Sequence, residues 1–300
     1  MTSTGDKESW TILELLNWTA SYFAEQGIPE PRLNAQVLLA HVMDTERIML
    51  YARFDEQVDP EKRAEFRRLV RRRASREPLQ YLVGGWEFYG RHFALTPAVL
   101  VPRQETELLA EKCLEKVPEG TDWWAADIGT GSGVIAVTLA CERPGLELIA
   151  VDSSAEALEV AARNAARHGV EDRIRLGEDD LAEPLPGLLP PGREGVELLV
   201  SNPPYVPTDR IASLEPEVRD WEPRAALDGG EDGLHVIRRL VPQAAEHLLR
   251  GGWLVLELGE GQADPVTELA AETAAYDMDT LETVTDSGGC RRVFCVRKGE

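Results

Sequence analysis

The chain has 300 residues, of which 43% are hydrophobic, so it can bury one large core, alone or beside a small accessory domain. Its formal net charge of -21 argues against a nucleic-acid backbone as the main partner, because phosphate binding requires a basic surface. No run of the sequence approaches the roughly 18 apolar residues that a membrane-spanning helix requires.

The amino terminus and the cysteines predict a cytoplasmic protein. Residues 1–8 are polar and lack the basic and apolar regions of a signal peptide. The four cysteines form neither a CxxC pair nor a metal-like cluster, so we expect inert thiols in a reducing compartment and no metal site. They are Cys113, Cys141, Cys290 and Cys295. The acidic chain has only five lysines against 27 arginines. This pattern is also typical of proteins adapted to a salty cytoplasm, in which case the negative charge would not indicate the kind of partner.

The first quarter of the chain, from residue 9 to about 76, is predicted to be helical. Apolar residues recur at helical spacing over 10–18, and further helices fit 33–43 and 60–75. The carboxyl-terminal part of the last helix and the residue that follows it form a cluster of six arginines. They are Arg67, Arg68, Arg71, Arg72, Arg73 and Arg76. A solvated face is the simpler interpretation of this basic cluster, and a docking surface for an acidic partner or RNA is the alternative.

The rest of the chain alternates between strand and helix patterns. Residues 79–95, with Gly84-Gly85 and Gly90, first predict a β-hairpin linker. The predicted strands are 123–128, 146–151, 173–176, 196–201, 253–258, 281–285 and 292–296, and the predicted helices are 134–141, 155–168, 234–249 and 263–275. This alternation predicts an α/β fold with a mostly parallel, doubly wound sheet and an antiparallel edge.

A glycine-rich turn, Asp127-Ile128-Gly129-Thr130-Gly131-Ser132-Gly133, lies between the first strand of this region and its helix. The glycines allow a tight turn and the close approach of a ligand to a helix N-terminus. Dinucleotide enzymes use such a turn too. Asp127, however, precedes the first glycine by two residues, where a carboxylate suits a cationic amino-acid group better than a pyrophosphate.

Acidic residues follow the next two strands. Asp152 lies 21 residues after Gly131 and can accept hydrogen bonds from both hydroxyls of a ribose, which NAD and S-adenosylmethionine both contain. Asp180 is placed to accept from an adenine amino group, with Leu181 beside the ring. Asp179 fits the adenine contact equally well on spacing.

The tetrapeptide Asn202-Pro203-Pro204-Tyr205 follows the apolar run 196–201, which predicts a buried strand. Its prolines remove two backbone donors and fix two φ angles, so the strand ends here. The Asn202 oxygen and a neighbouring carbonyl can accept the two hydrogens of a planar NH2 group, and Tyr205 can cover its face. Alone, the prolines indicate only a strand-terminating turn. Beside the glycine turn, the tetrapeptide predicts the acceptor half of a methyl-transfer site.

With these motifs, the chain resembles the bacterial release-factor glutamine methyltransferases, the PrmC/HemK family of class I methyltransferases. The resemblance extends over about residues 10–297. Its further segments are Glu77-Pro78-Leu79-Gln80-Tyr81-Leu82, Glu87-Phe88-Tyr89-Gly90, Val101-Pro102-Arg103, Glu105-Thr106-Glu107, Glu222-Pro223-Arg224-Ala225-Ala226-Leu227 and Asp232-Gly233-Leu234, with Asp286, Gly289 and Arg292 near the end. One position departs from the family pattern, since Gln104 stands where a proline is usual.

The resemblance implies a Rossmann-like, seven-stranded class I methyltransferase domain at 99–300. A helical substrate-docking domain at 1–77 and a β-hairpin linker at 78–98 would precede it. It implies S-adenosyl-L-methionine as cofactor and S-adenosyl-L-homocysteine as product. The implied substrate is the glutamine of the Gly-Gly-Gln motif in class I peptide-chain release factors, methylated on its side-chain nitrogen. We expect a monomer that contacts neither membrane nor nucleic acid directly.

The site residues follow from the motifs and the resemblance together. Asn202 Oδ1 and the Pro203 carbonyl are expected to accept the two hydrogens of the substrate amide, while Pro204 and Tyr205 wall the slot; no histidine or metal is required as a base. The expected cofactor residues are Asp127, Gly129, Thr130, Gly131, Ser132, Gly133, Asp152, Asp180, Leu181 and Asn202.

Three other interpretations remain open. An N-methyltransferase acting on the exocyclic amine of adenine or guanine is one, because the tetrapeptide suits any planar NH2 group. A lysine or other protein N-methyltransferase is a second. A non-catalytic S-adenosylmethionine-binding or ribosome-associated module is the third.

Overall fold

In the computed structural model, which describes residues 9–300, the chain divides into two units. The helical unit comprises residues 9–84 and 216–221, and the α/β unit comprises residues 85–215 and 222–300. The polar segment 1–8, on which the expectation of no signal peptide rests, lies outside the described residues. The domain limits at residues 77 and 98 stay a prediction.

The elements are numbered in chain order. The helices are α1 (Ile12–Glu25), α2 (Pro31–Met43), α3 (Arg47–Ala52), α4 (Pro60–Ala74), α5 (Leu79–Val83), α6 (Gln104–Lys116), α7 (Val134–Glu142), α8 (Ala155–Arg167), α9 (Leu185–Leu188), α10 (Pro216–Arg219), α11 (His235–His247) and α12 (Ala263–Thr273). The strands are β1 (Gly85–Phe88), β2 (Arg91–Ala94), β3 (Trp124–Ile128), β4 (Glu147–Asp152), β5 (Ile174–Glu178), β6 (Val196–Ser201), β7 (Leu248–Glu257), β8 (Tyr276–Thr285) and β9 (Arg291–Lys298). Within residues 9–300, no helix is long and apolar enough to cross a membrane.

Capping side chains start two of the three long helices of the helical unit. Thr11 caps α1 in a reciprocal capping box with Glu14, and Asp59 caps α4 ahead of a proline at its first position. Each helix then buries one apolar stripe, which in α4 includes Phe66 and Leu69. Helices α3 and α5 were not predicted, and α5 occupies the start of the predicted hairpin linker.

The basic cluster of α4 is largely an ion-pair network inside the helical unit. Arg72 pairs with Glu77, and Arg73, which is buried, donates to Asn34 Oδ1 at 2.7 Å and to Glu217 Oε1 at 2.8 Å. Arg76 reaches the same Glu217 oxygen at 3.2 Å. A fully solvated face is therefore the wrong description of this cluster, because half of its six arginines hold the unit together.

The α/β unit contains one seven-stranded sheet in the order β5-β4-β3-β6-β7-β9-β8. The first five strands in this order run parallel, whereas β9 pairs antiparallel with both β7 and β8. The predicted seven-stranded α/β fold with an antiparallel edge is thus confirmed. A separate antiparallel hairpin, β1–β2, precedes it, also as predicted.

The strand order reverses at β3, which places the two main motifs side by side. From β3 the chain builds β4 and β5 on one side and then returns to add β6 on the other. Ile128 at the end of β3 is in register with Ser201 at the end of β6. Gly129 and Asn202 therefore leave neighbouring strands at the same edge, where ligands of open α/β sheets bind.

Helix α6 was not predicted, and it explains the departure at Gln104. Arg103 is the N-cap residue of α6, and Gln104 occupies the first helical position. Proline is favoured at that position because the missing N–H would have no intrahelical acceptor anyway. Glutamine can take the same backbone conformation, so the helix start is retained.

Candidate functional site

A cavity of about 380 Å3 lies at the carboxyl edge of β3, β4, β5 and β6 in the α/β unit. Its size is within the range of roughly 300–1,000 Å3 that is usual for small-molecule sites. The predicted site residues that line it are Gly129, Thr130, Gly131, Ser132, Asp152, Asp180, Leu181, Asn202 and Pro204. The predicted residues outside its lining are Asp127, Gly133, Pro203 and Tyr205. The described residues that line this cavity include acidic groups but neither lysine nor arginine.

The glycine turn is fixed by backbone hydrogen bonds and by Asp152. The amides of Gly129 and Thr130 donate to the Val151 carbonyl at 2.8 and 2.9 Å, which ties the turn to β4. Asp152 accepts from the amide of Gly131 at 2.8 Å through Oδ2 and from the amide of Ser154 at 3.0 Å through Oδ1. Each carboxylate oxygen can accept more than one hydrogen bond. Asp152 is therefore held at the cavity wall with acceptor capacity to spare.

Asp127 lies beneath the turn and is fully buried. Its Oδ2 accepts from the Thr130 hydroxyl at 2.7 Å and from the Ala136 amide at 3.2 Å. Its Oδ1 has no hydrogen-bond partner among the described residues. Burial raises the pKa of Asp127 to about 7, so its charge changes near neutral pH. Its predicted contact with a cationic ligand stays a prediction.

Asp179 and Asp180 both line the cavity, so the choice between them stays open. The Asp180 amide donates to Asp179 Oδ1 at 2.8 Å, whereas the Asp180 carboxylate forms an ion pair with Arg239 of α11. Leu181 follows with a positive φ of 57°, which turns the chain beside the cavity. The adenine contact of Asp180 stays a prediction.

The Asn202 side chain is held by one of its two polar atoms. Its Nδ2 donates to the hydroxyl of Thr106 on α6 at 3.3 Å. Within residues 9–300, its Oδ1 and the carbonyl oxygen of Pro203 accept no hydrogen bond. Asn202 lines the cavity, so its Oδ1 is an acceptor left there for a ligand NH2 group, whereas Pro203 lies outside the lining and the contact of its carbonyl stays a prediction.

The Tyr205 hydroxyl is bound to a residue that, like Tyr205 itself, is outside the cavity lining. It donates to Oε1 of Glu257, the last residue of β7, at 3.1 Å. Burial and the nearby Glu257 charge raise the pKa of Tyr205, so it remains protonated at neutral pH. Its predicted role in covering the substrate amide stays a prediction.

The segment after the tetrapeptide is braced by the chain around Gly229 and Gly233. The Val206 amide donates to Leu227 O at 2.9 Å, and the Gly229 amide donates to Val206 O at 2.8 Å. Gln262 Nε2 donates to Tyr205 O at 3.0 Å. Gln262 Nε2 also donates to Gly233 O at 3.1 Å, which connects the matched segment Asp232-Gly233-Leu234 to the tetrapeptide.

The Gly233→Ala variant is expected to have a lower free energy of unfolding and a lower kcat than wild type. An added Cβ would lie 2.3 Å from Tyr205 O, and the φ of +77° strains alanine by about 1–2 kcal/mol. Gly261→Ala is the matched control, since its φ is +79° but nothing lies within 4 Å of the added Cβ. Urea denaturation and kcat are measured for both. Equal losses in the two variants would show that contact with Tyr205 is unimportant.

Two site residues, Thr106 and Glu257, were not predicted as such. Thr106 lies in the matched segment Glu105-Thr106-Glu107, and Glu257 lies in a predicted strand next to β6. For Glu257 the sequence did contain a signal, since an acidic residue stands at the carboxyl end of a predicted strand. A second pair, Arg103 and Glu222, joined at 2.7 Å, holds the cavity rim near Pro223.

Comparison with known proteins agrees with this geometry. Residues 14–84 match the model of the PrmC N-terminal domain, and residues 104–213 match that of the methyltransferase small domain. The chain is 46% identical to the release factor glutamine methyltransferase of Geobacter sulfurreducens, over 97% of this chain and 98% of that protein. It is 41% identical to the protein of the same name from Koribacter versatilis, over 96% and 99%.

A solved methyltransferase structure from Pyrococcus furiosus is similar with a TM-score of 0.51 and 20% identity, over 71% of this chain and 91% of that one. At this identity the similarity concerns the fold alone. The sequence relatives cover nearly the full chain at much higher identity. The chain belongs to the release factor glutamine methyltransferase family.

Proposed function

We propose that this protein methylates the side-chain amide nitrogen of the glutamine in the Gly-Gly-Gln motif of class I release factors, using S-adenosyl-L-methionine. The observation that carries the proposal is the Asn202 side chain, whose Nδ2 is engaged by Thr106 while Oδ1 is left to accept beside the cavity. The relatives named above act, by name, on release factor glutamine.

The cavity residues fit this cofactor. The glycine turn offers backbone at Gly129 and Gly131, Asp152 offers carboxylate oxygens to ribose hydroxyls, and Asp127 has an unpartnered buried oxygen below the turn. S-adenosyl-L-methionine, when bound, supplies a methyl group activated by a sulfonium, and S-adenosyl-L-homocysteine is the product. Asp179 or Asp180 is expected to contact the adenine, with Leu181 beside it.

The chain acts on the substrate by accepting hydrogen bonds. Asn202 Oδ1 and the Pro203 carbonyl accept the two hydrogens of the glutamine amide and orient its nitrogen, which supplies acceleration through proximity and alignment. As positive charge develops on that nitrogen, both hydrogen bonds strengthen, so the transition state is stabilised more than the ground state. The buried Pro203 and the cavity-lining Pro204 exclude water from the slot.

The direct test is methyl transfer to a purified release factor. With labelled cofactor, label is expected on the wild-type release factor and absent from a variant in which the glutamine of Gly-Gly-Gln is changed to alanine. Label on that variant would reject the glutamine. Label on DNA or RNA instead would favour the exocyclic-amine alternative, although the described cavity lining has no basic residue to hold a nucleic acid. Binding without any transfer would indicate the non-catalytic module.

The remaining expectations concern the location of the protein, its oligomeric state and the role of its helical unit. We infer that the protein acts in the cytoplasm as a monomer, and that the helical unit helps to dock the release factor. Gel filtration coupled to light scattering tests whether the protein is a monomer. Deletion of residues 1–77 tests the docking role, since it should raise KM for the release factor more than Kd for the cofactor.

Cofactor affinity is expected to rise from pH 6 to pH 8 as Asp127 loses its proton. Its raised pKa of about 7 means that, below pH 7, binding a cationic ligand must also remove this proton. Affinity at pH 6 should therefore be about tenfold below its limit, because each pH unit below the pKa corresponds to about 1.4 kcal/mol. Calorimetry of wild type and Asp127→Asn at each pH makes the comparison. The amino group of the ligand titrates in both, so only their difference reports Asp127; equal slopes would contradict the assignment.

A further inference from the structure

Glu257 is a buried carboxylate without a cationic partner at salt-bridge distance in the described chain. Only 1% of the residue is exposed, at the carboxyl end of β7. Its Oε2 accepts from the Thr106 hydroxyl at 2.8 Å, and its Oε1 accepts from the Tyr205 hydroxyl at 3.1 Å. Burial raises the pKa of Glu257, and these two hydroxyl donors oppose that rise. Burying such a group is costly, so its presence needs a reason beyond packing.

The polarity of this network fixes the direction of every hydrogen bond in it. In its ionised form the Glu257 carboxylate can only accept, so the single proton of the Thr106 hydroxyl is then directed to Glu257. The Thr106 oxygen can then only accept from Asn202, which requires the NH2 side of that amide to face Thr106. The other side, Oδ1, must face away from Thr106. A threonine hydroxyl without Glu257 would accept or donate equally well and would allow either amide orientation.

We propose that Glu257 is a positioning residue that acts through Thr106 to fix the orientation of the Asn202 amide, so that Oδ1 and not Nδ2 meets the methyl-accepting NH2 group. This inference rests on the proposed function for its consequence in catalysis. In the reversed orientation, two NH2 groups would face each other, and neither could accept. Glu257 also holds the Tyr205 hydroxyl, so one buried carboxylate orders both ends of the tetrapeptide.

The kinetic test uses Thr106→Val, Thr106→Ser and Glu257→Gln. Valine keeps the shape of threonine without the hydroxyl, and we expect kcat to fall by at least about tenfold with changes below about threefold in KM and cofactor Kd, the pattern of a lost transition-state interaction. Serine restores the hydroxyl and should recover most of kcat. The Glu257→Gln side chain can donate as well as accept, so this variant alone should lower kcat. Combined with Thr106→Val, it should lower kcat by less than about twofold further, because both changes act through one group. Independent, multiplying losses would overturn the proposal.

A second readout needs no methyl acceptor, and so separates this inference from the proposed function. Hydrogen exchange of the Asn202 side-chain NH2 is followed by NMR with 15N-asparagine, the resonance pair being the one lost in Asn202→Ala. We expect exchange at least about tenfold faster in Thr106→Val and faster in Glu257→Gln. Thr138→Val is the matched control, since it removes the hydroxyl of a buried threonine that has no hydrogen-bond partner among the described residues, and it should leave this exchange unchanged. Unaltered exchange in Thr106→Val would reject the inference even if wild type methylates release factors. Absence of release-factor methylation by wild type would reject only the proposed function.

Discussion

Asn202→Ala is expected to lower kcat for release-factor methylation by about 10²–10³-fold while changing cofactor Kd by less than about threefold. The substitution removes Oδ1, an acceptor that the described structure leaves unused on a residue lining the cavity. An oriented group that meets developing charge contributes about 2.7–4 kcal/mol to transition-state stabilisation. Asn202 is one of ten expected cofactor residues, and the contacts proposed for the glycine turn and Asp152 do not involve its Oδ1. The loss should therefore appear in the chemical step and not in cofactor binding.

Single-turnover rates and calorimetric Kd values measure the two quantities separately. Asn202→Asp is the informative control, because it keeps an oxygen at the Oδ1 position but places a second oxygen opposite Thr106. Since Thr106 gives its proton to Glu257, two acceptors would then face each other, and we expect kcat to fall here too. A kcat equal to that of wild type in Asn202→Ala would show that Asn202 Oδ1 takes no part in the chemical step.

The chemistry of each motif could be predicted from the sequence because it is local. The glycine turn and the tetrapeptide each follow an apolar strand directly, and the predicted strand at 196–201 coincides with β6. Their adjacency could not be read from local pattern. It arises because the strand order reverses at β3, which places Ile128 in register with Ser201, more than 70 positions away.

Polar side chains that act through distant partners were the hardest to predict. Arg73 was counted with a solvated basic cluster, but its partner Glu217 lies 144 positions along the chain and still belongs to the helical unit. Thr106 and Glu257 are 151 positions apart, and each alone is an ordinary residue of a helix or strand. The charge pattern of a short sequence segment predicts neither pair, because a buried polar group can be interpreted only when its partner is known.

Asp152→Ala is expected to raise cofactor Kd by about 100-fold while kcat at saturating cofactor stays within about fivefold of wild type. The carboxylate is proposed to accept from ribose hydroxyls, and hydrogen bonds to a charged group contribute about 1.5–3 kcal/mol each. It also accepts from the amides of Gly131 and Ser154, so its loss loosens the glycine turn as well. Both effects weaken cofactor binding and leave the Asn202 acceptor in place.

The control is Asp152→Asn, which keeps one accepting oxygen for the Gly131 amide but can accept at only one of the two positions. Its Kd should lie between those of wild type and Asp152→Ala. An unaltered Kd in the alanine variant would refute the ribose contact. A fall in kcat at saturating cofactor, without a change in Kd, would instead assign Asp152 to the chemical step. If kcat responds to Asn202 and Kd responds to Asp152, the cavity has two functional sides. The methyl-accepting side lies at the end of β6 and the cofactor-binding side at the end of β4, on either side of β3, where the strand order reverses.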